Sequence, residues 1–251
     1  MVFAAGLGTR LRPLTDSLPK ALVEVGGMSV LERAIRNIVA LDPGRIIVNA
    51  HHHAEQIEAE VARLNRILDS ESGRQLSRIR VSHERERPLE TGGGLRHAAD
   101  LFDGRKPILL HNADVLTDLD LDRLVSAHAE ASGTQADGPT LATLAVHDRD
   151  SNRKLLFDSR GLFGRTDLRS GRTERAREPQ GAVQALAFAG IHVVSHGLME
   201  TLPATETFSI TDHYLDLARE NLRITPFDMA SAGWWEIGSP ERLAAARRAF
   251  G

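Results

Sequence analysis

Apolar residues follow two alternating patterns along the chain: short continuous runs, and longer stretches in which they recur every three to four residues. The short runs are rich in β-branched residues and predict strands over residues 2–5, 45–49, 79–83, 108–111 and 141–146. The longer stretches predict helices over residues 30–41, 54–68, 95–102 and 121–131. Such alternation indicates crossover connections between strands. We therefore expect an α/β fold of three layers, with a Rossmann-like, mixed and mostly parallel sheet and helices on both faces.

The pattern changes after residue 146. Residues 148–182 are charged and rich in glycine and arginine, with short candidate strands at 155–157 and 162–163, so we expect a small lobe rich in hairpins. The remaining predicted elements are a strand over 185–194, a helix over 210–220 behind Ser209, strands near 222–227 and 234–237, and a last helix. That helix opens with Ser239-Pro240, a capping serine followed by proline at the first helical position.

Composition narrows the possible functions. The 251 residues include 31 Lys+Arg and 34 Asp+Glu, and the net charge of −3 gives no reason to expect bulk nucleic-acid binding. Cysteine is absent, which excludes thiol catalysis, zinc–cysteine sites and iron–sulfur clusters. No run approaches the ~20 apolar residues of a membrane span, and the first residues lack the basic start of a signal peptide. We therefore expect a cytoplasmic protein without a membrane partner.

The loop after the first predicted strand has the composition of a phosphate-binding site. It reads GLGTRLRPLT from Gly6 onward and closes with a proline and Lys20, one of only three lysines in the chain. Glycines let backbone N–H groups approach a phosphate chain, Arg10 can bind phosphate oxygens in a bidentate manner, and Lys20 adds a compact charge. The third glycine of a dinucleotide-binding fingerprint is missing, and so is the G-x-x-x-x-G-K-S/T loop. A nicotinamide-dependent oxidoreductase is therefore disfavoured.

Two further motifs lie at the ends of predicted strands. The run PLETGGG, residues 88–94, precedes the helix predicted to begin near Leu95, and its glycines would expose N–H groups at the helix start. The run ILLHNAD ends in Asp114, which puts a carboxylate at the sheet edge, where Mg²⁺ binds one or two carboxylates plus substrate phosphates. Taken alone, the glycines could also form a flexible turn, and Asp114 could be a helix cap or a turn residue.

Three other groups of polar residues are interpreted as structural. The histidines at 51–53 are consecutive, so their side chains point in different directions and one metal ion could not use all three. The aspartates at 118, 120 and 122 lack the glycine and the distant glutamate of a calcium loop, and we expect them to cap the helix near Leu121. The arginine-rich stretch 160–177 is expected to be a solvated surface.

Together with GWWEIGSP at residues 233–240 and FAGIHV at residues 188–193, these motifs resemble those of the sugar-1-phosphate nucleotidyltransferases over nearly the whole chain. The resemblance implies an enzyme that condenses a nucleoside triphosphate with a sugar 1-phosphate, releases pyrophosphate and uses Mg²⁺. It also implies one domain over residues 1–251, with a nucleotide-binding half at 1–147, a sugar-binding part at 148–238 that includes the lobe, and a C-terminal helix at 239–251. A monomer or a small homo-oligomer is expected.

The resemblance assigns roles to residues at matching positions. Those expected to bind the nucleotide are Ala5, Gly6, Gly8, Thr9, Arg10, Lys20, Glu90, Thr91, Gly92 and Asn112. Arg10, Lys20 and Asp114 are the expected catalytic residues, and Asp114 and Glu236 the expected Mg²⁺ ligands. Glu236 stands where the family has aspartate, so its longer side chain shifts the metal or requires an intervening water. Ala113 stands where the family has glycine, which adds a methyl group near the phosphates.

On the sugar side, Glu178 and Gly190 are expected to contact the sugar phosphate. The family's second lysine is missing at this place, and Arg177, Arg153 or Lys154 could replace it. The resemblance favours UTP with an N-acetylmuramate-type or hexose-type 1-phosphate as substrates. The alternatives are GTP with mannose 1-phosphate, or a homologue that binds nucleotide sugars without catalysis.

Overall fold

The computed structural model describes residues 1–72, 78–102, 104, 106–133, 138–229 and 232–251. In chain order, its strands are β1 (Val2–Phe3), β2 (Glu24–Val25), β3 (Met28–Ser29), β4 (Ile46–Ala50), β5 (Ile79–His83), β6 (Ile108–Asn112), β7 (Val115–Thr117), β8 (Thr140–His147), β9 (Arg153–Asp158), β10 (Gly161–Asp167), β11 (Arg172–Arg175), β12 (Gln184–Val194), β13 (Arg223–Asp228) and β14 (Trp234–Glu236). Its helices are α1 (Val30–Val39), α2 (Ala54–Ser72), α3 (Glu90–His97), α4 (Leu121–Ser132), α5 (His196–Thr201), α6 (Ile210–Arg219) and α7 (Pro240–Phe250).

The chain forms two compact units. The first comprises Met1–Gly104, His111–Asp118 and Gly233–Gly251, and the second comprises Arg105–Leu110 and Leu119–Ala232. The division of function that the sequence predicts at residue 147 remains a prediction.

The first unit is built on parallel strands. β1 lies between β4 and β6, with Val2 opposite Val48 on one side and His111 on the other, and β5 extends the sheet beyond β4. β4 is buried along its whole length, as expected for an apolar strand that is covered on both faces. Because parallel strands end at the same edge of a sheet, the loops that follow β1, β4, β5 and β6 start side by side.

The helices of the first unit begin where their capping residues lie. Ser29 caps α1 and accepts a hydrogen bond from the Glu32 N–H at 3.1 Å. The hydroxyl of Ser239 accepts from the Arg242 N–H at 3.4 Å, so α7 begins at Pro240 as predicted. α2 buries a single stripe of apolar residues, which is the periodicity that predicted it.

Helix α3 begins earlier than predicted. Residues 90–94 form its first turns instead of preceding it, and a short 3-10 turn at Ala99–Leu101 follows its end. The prediction was wrong because glycine lowers helix propensity, whereas these three glycines are buried by tertiary packing. A Cβ on Gly94 would lie 2.7 Å from Glu84 Oε1 and 2.8 Å from Asn49 Nδ2, so a larger residue here would displace these two buried side chains.

The second unit is mainly antiparallel. β12 pairs with β9 through its first residues and with β8 through its last residues, while β13 pairs with β8 in parallel. β9, β10 and β11 form successive antiparallel pairs, which confirms the predicted hairpin-rich lobe. Helix α4 packs on β8, and α6 packs on β10. The predicted α/β class, with a mixed sheet that is parallel through the first unit, is confirmed.

The apolar pattern does not predict five short elements, namely β2, β3, β7, β11 and α5. Strands of two to four residues are too short to show a period, so these elements form only where tertiary contacts support them. Within the described parts of the chain, every helix is too short or too polar to cross a membrane.

Candidate active site

The loop after β1 takes its shape from Gly8 and Thr15. Gly8 has a φ of 62°, and a Cβ on it would lie 3.0 Å from Thr15 Cγ2 and 3.1 Å from Lys20 Cβ. The Thr15 hydroxyl donates to the Gly8 carbonyl at 2.8 Å, and the Leu11 N–H donates to the same oxygen at 2.9 Å. These bonds fold the loop back on itself. Ala5 is buried within it, and the residues exposed on it include Gly6, Thr9 and Arg10.

Lys20, at the end of this loop, meets Asp114. The Ala113 N–H donates to the Phe3 carbonyl at 3.0 Å, so Asp114 follows β6 beside the end of β1. The Lys20 ammonium donates to Asp114 Oδ2 in an ion pair whose side chains are 13% and 26% exposed. Ala113 itself is buried, so the methyl group that replaces the family's glycine lies in the protein interior. Two of the three predicted catalytic residues are therefore in direct contact.

The second predicted metal ligand lies beside the first. β14 pairs with β7 so that Glu236 is opposite Val115, and the Ile237 N–H donates to the Asp114 carbonyl at 3.1 Å. The Glu236 carboxylate forms an ion pair with Arg10, with 3.7 Å between Nη2 and Oε1. The structure thus brings Arg10, Lys20, Asp114 and Glu236 together in the first unit.

Arg242 is a cation of this site that the sequence analysis missed. It lies in the first turn of α7 and donates to Glu236 Oε2. A basic residue in a first turn is disfavoured by the helix dipole unless an anion lies nearby, and that mismatch was the signal available in the sequence. A Cβ on Gly238 would overlap Glu236 Oε1, so the glycine two residues after Glu236 makes room for its carboxylate.

The carboxylates of Asp114 and Glu236 fit a divalent cation that prefers oxygen ligands. No group of three or more His, Asp or Glu residues that could hold a metal occurs among the described residues. Mg²⁺ usually binds through one or two carboxylates plus water and substrate phosphates, so Asp114 and Glu236, which lie on adjacent backbone segments, form a sufficient protein donor set. Burial lowers the pKa of His111 on β6 to about 4, so this neutral imidazole adds no positive charge beside Asp114.

The start of α3 presents the second group of predicted nucleotide-binding residues. Glu90 is exposed and has a φ of 61°, a left-handed backbone conformation that is uncommon for a residue with a side chain. Thr91 is half-buried, and Gly92 is buried within the first turn. The first four N–H groups of a helix have no partner within the helix, so this turn can donate to an anion or a sugar hydroxyl. Asn112 ends β6, opposite Phe3 of β1.

A pair of buried polar side chains, missed by the sequence analysis, lies between these two loops. Asn49, on β4, accepts a hydrogen bond from the Ala4 N–H at 2.7 Å and donates to Glu84 Oε1 at 2.6 Å. The other oxygen of Glu84 accepts from the Leu89 N–H at 2.7 Å. A polar residue at the carboxyl end of an otherwise apolar strand was the signal available in the sequence.

The residues predicted to contact sugar belong to the second unit. Gly190 has a φ of 79° and lies at an irregularity where the pairing of β12 with β8 is interrupted. Glu178 is exposed, with its carboxylate 3.9 Å from Arg175. Lys154 pairs with Asp148 at 2.8 Å on the surface of this unit.

Arg177, one candidate for the missing cation, is occupied by a structural contact. It donates to both oxygens of Asp158 at 2.7 Å, and the Asp158 side chain is fully buried. Burial alone would raise the pKa of Asp158, but hydrogen bonds from Arg177 and from backbone N–H groups outweigh it and lower the pKa to about 2. An arginine held in this way cannot also bind a phosphate without breaking a buried ion pair.

The residues interpreted as structural have structural contacts. His51 donates from Nδ1 to the Glu84 carbonyl at 2.6 Å, and His53 contacts the Asp16 carbonyl at 3.2 Å, so the histidine tract holds neighbouring backbone segments. Asp120 caps α4 by accepting from the Asp122 N–H at 3.0 Å. The predicted cap at that helix is confirmed.

Comparisons with known proteins identify relatives that match nearly the whole chain. A family model for nucleotidyl transferases matches residues 1–250. N-acetylmuramate alpha-1-phosphate uridylyltransferase from Caulobacter vibrioides is 29% identical over 264 residues, covering 99% of this chain and 95% of that protein. Mannose-1-phosphate guanylyltransferase catalytic subunit beta from Danio rerio is 25% identical over 248 residues, covering 96% of this chain but only 61% of that protein.

Among solved structures, HddC from Yersinia pseudotuberculosis complexed with GMP-PN superimposes with a TM-score of 0.72 at 20% identity, covering 100% of this chain and 98% of that one. A likeness at this level of identity supports the fold. The family match extends over nearly the whole chain and includes the loop, the strand ends and the last helix described above. The chain therefore belongs to the nucleotidyl transferase family, and it is an enzyme of the sugar-1-phosphate nucleotidyltransferase class.

Proposed function

We propose that this enzyme transfers the nucleotidyl group of UTP to an N-acetylmuramate-type or hexose-type 1-phosphate, releasing pyrophosphate. The observation that carries the proposal is the contact between Lys20 and Asp114, which joins the phosphate-type loop to the sheet-edge carboxylate. UTP is favoured because the uridylyltransferase relative is matched over 95% of its length. GTP with mannose 1-phosphate is the alternative, because a guanylyltransferase is also among the relatives. It is less favoured because the chain spans only 61% of that relative.

The proposed reaction needs no general base, because the sugar phosphate is already an anion. One of its oxygens bonds to the α-phosphorus of the triphosphate, and the bond from that phosphorus to the α–β bridging oxygen breaks. The electron pair leaves with pyrophosphate. Catalysis then rests on positioning the two substrates and on neutralising charge at the α-phosphate.

The cations of the first unit supply that neutralisation in the proposal. Lys20 contacts the α-phosphate and the incoming sugar phosphate once it leaves Asp114, and Arg10 holds the β- and γ-phosphates. Arg242 adds a second guanidinium on the side of Glu236. Backbone N–H groups of the loop from Gly6 to Arg10 donate to the same phosphates. A divalent cation, Mg²⁺ in this proposal, would be held by Asp114 and Glu236 and would neutralise phosphoryl oxygens when bound.

The remaining predicted contacts complete the proposed site. Ala5, Gly6, Gly8, Thr9 and Asn112 line the phosphates and the nucleoside, and Glu90, Thr91 and Gly92 face the base and ribose. Glu178 and Gly190 contact the sugar phosphate. Lys154 or Arg153 replaces the family's second lysine, because Arg177 is committed to buried Asp158.

A matrix of pyrophosphate release tests the proposal. Each of the four nucleoside triphosphates is combined with N-acetylmuramate, glucose, N-acetylglucosamine and mannose 1-phosphates, with Mg²⁺ present and after chelation. We expect the highest rate with UTP and one of the first three sugars. Highest activity with GTP and mannose 1-phosphate would support the alternative. A matrix with no activity in any combination would contradict the proposed reaction.

A further inference from the structure

We propose that Asn49 and Glu84 are positioning residues. They fix the position of the loop after β1 relative to the start of α3, so that both can bind one nucleoside triphosphate. This inference rests on the proposed function for the identity of the ligand. The side chains of Asn49 and Glu84 are buried beneath the two segments. They act through the backbone N–H groups of Ala4 and Leu89, one from each loop.

The pair forms an unbroken chain of hydrogen bonds. The Ala4 N–H donates to Asn49 Oδ1 at 2.7 Å, Asn49 Nδ2 donates to Glu84 Oε1 at 2.6 Å, and the Leu89 N–H donates to Glu84 Oε2 at 2.7 Å. Asn49 is 2% exposed and Glu84 is 3% exposed. Every acceptor oxygen of the two side chains therefore receives an N–H group inside the protein.

The backbone of Glu84 and the neighbouring Gly94 also fix the position of the pair. The Glu84 N–H donates to the Ala50 carbonyl at 2.8 Å, and the Glu84 carbonyl accepts from His51 Nδ1 at 2.6 Å. Gly94 makes room for the two side chains, because a Cβ there would lie within 2.8 Å of both Glu84 Oε1 and Asn49 Nδ2. The third glycine of the motif and the first histidine of the tract thus both support one buried contact.

A buried carboxylate is a costly way to join two loops. Taking a charge out of water is unfavourable, and a well-packed apolar pair of similar volume usually stabilises a fold as well or better. Satisfied polar networks instead impose one geometry, because each donor must meet its acceptor. The site that gains from a single geometry here is the one formed by the Gly6–Arg10 loop and the first turn of α3.

Two substitutions that exchange a donor for an acceptor test the hydrogen bonds between Ala4, Asn49, Glu84 and Leu89. In Glu84→Gln, the new amide group faces another N–H donor, either Asn49 Nδ2 or the Leu89 N–H. In Asn49→Asp, a carboxylate oxygen faces Glu84 Oε1. The double variant reverses the middle bond, so that the new amide at position 84 donates to the new carboxylate at position 49 while the Ala4 and Leu89 N–H groups keep their acceptors.

Asn65→Asp is the matched control. Asn65 is a half-buried asparagine of the same unit whose amide donates to the Ile79 carbonyl at 3.0 Å and accepts from the Ile79 N–H at 3.2 Å. It joins α2 to β5 and contacts neither loop, so its substitution reports the effect of a lost buried hydrogen bond on stability alone.

The experiment measures the dissociation constants of UTP and GTP by calorimetry, together with hydrogen exchange of the Ala4 and Leu89 amides. Each single variant should weaken binding of the preferred nucleotide by roughly tenfold or more and speed exchange at both amides, as expected for a lost hydrogen bond to a charged group. The double variant should restore both properties to within about threefold, and Asn65→Asp should change neither. Gly94→Ala should reproduce the single variants.

Single variants that lose stability like Asn65→Asp but bind the nucleotide normally would overturn the inference, as would a double variant no better than the singles. If a single variant does not fold, the double variant and Gly94→Ala decide by the same criteria. Binding and exchange need no turnover. An enzyme without pyrophosphate release therefore counts against the proposed reaction, while unchanged exchange at Ala4 and Leu89 counts against the positioning role.

Discussion

Lys20 and Asp114 are separated by 94 positions in the chain, and their side chains form an ion pair at the adjoining ends of β1 and β6. Each residue neutralises the other, which offsets part of the cost of holding both charges in a partly buried place. The proposed reaction uses the same two groups toward substrate phosphates and a metal. When substrate and metal bind, Lys20 would exchange Asp114 for a phosphate, and Asp114 would exchange Lys20 for the metal. Each charge would therefore keep an opposite charge beside it.

Replacing Lys20 by alanine or Asp114 by asparagine should reduce pyrophosphate release by roughly a hundredfold or more, because each change removes charge stabilisation at the reacting phosphate. Circular dichroism should show that both variants remain folded. Lys106→Ala, which removes an exposed lysine, is the control and should keep normal activity. Near-normal turnover of either site variant would refute its catalytic role.

Glu236→Ala should lose activity to a similar degree, whereas Glu236→Asp should retain a measurable fraction because it keeps a carboxylate at the place of the family's aspartate. The measurement is the pyrophosphate-release rate as a function of Mg²⁺ concentration. Glu241→Ala, an exposed acid in the same first turn of α7, serves as the control. Near-normal activity of the alanine variant at every Mg²⁺ concentration would show that the carboxylate of Glu236 has no role in the reaction.

Arg242→Ala should tighten metal binding, because Arg242 and a metal ion compete for the same Glu236 carboxylate. Arg242 is half exposed, so the gain should be modest, roughly two- to fivefold in the half-saturating Mn²⁺ concentration measured by electron paramagnetic resonance. Weaker metal binding in this variant would mean that Arg242 orients Glu236 toward the metal instead of competing with it.

Arg177→Ala should destabilise the protein by about 3 kcal/mol or more in urea unfolding, because it leaves the buried Asp158 carboxylate without its cation. Arg153→Ala is the matched control. Its side chain is 90% exposed, with Nε 3.8 Å from Asp167 Oδ2, so the free energy of unfolding should change by less than about 0.5 kcal/mol. Similar effects of the two substitutions would contradict the structural assignment of Arg177.

The free energy of unfolding should fall as the pH is lowered from 6.5 toward 4, in part because of His128. Burial lowers the pKa of this histidine from 6.5 to about 4, so in this window the unfolded chain takes up a proton that the folded protein does not. Above pH 6.5 the imidazole is neutral in both states, and below pH 4 it is charged in both, so the slope is confined to this window.

His128→Gln should flatten that pH dependence, by up to about 3 kcal/mol between pH 7 and pH 4. The comparison is made by urea unfolding at several pH values, each variant being referred to its own stability at pH 7. An unchanged slope in the variant would show that other groups, not His128, account for the loss of stability.

The local elements of this protein were predictable because their causes are local. Strand β5 has the predicted bounds, and α7 begins behind the predicted Ser239 cap. Apolar spacing and capping groups act within a few residues, so they can be read from the sequence. The start of α3 could not be predicted in this way, because Gly94 weakens the helix locally but leaves room for the side chains of Asn49 and Glu84, which the sequence pattern does not place beside it.

The fold class, the loop that resembles a phosphate site and the carboxylates Asp114 and Glu236 can all be read from the sequence. Which charges meet depends on the folded chain, where Lys20 pairs with Asp114, and Arg10 and Arg242 pair with Glu236. It also removed Arg177 from the candidate cations and revealed the Asn49–Glu84 pair. The physical reason is that a motif specifies chemical groups, whereas the partners of a buried charge or polar group depend on which strands and loops fold next to it.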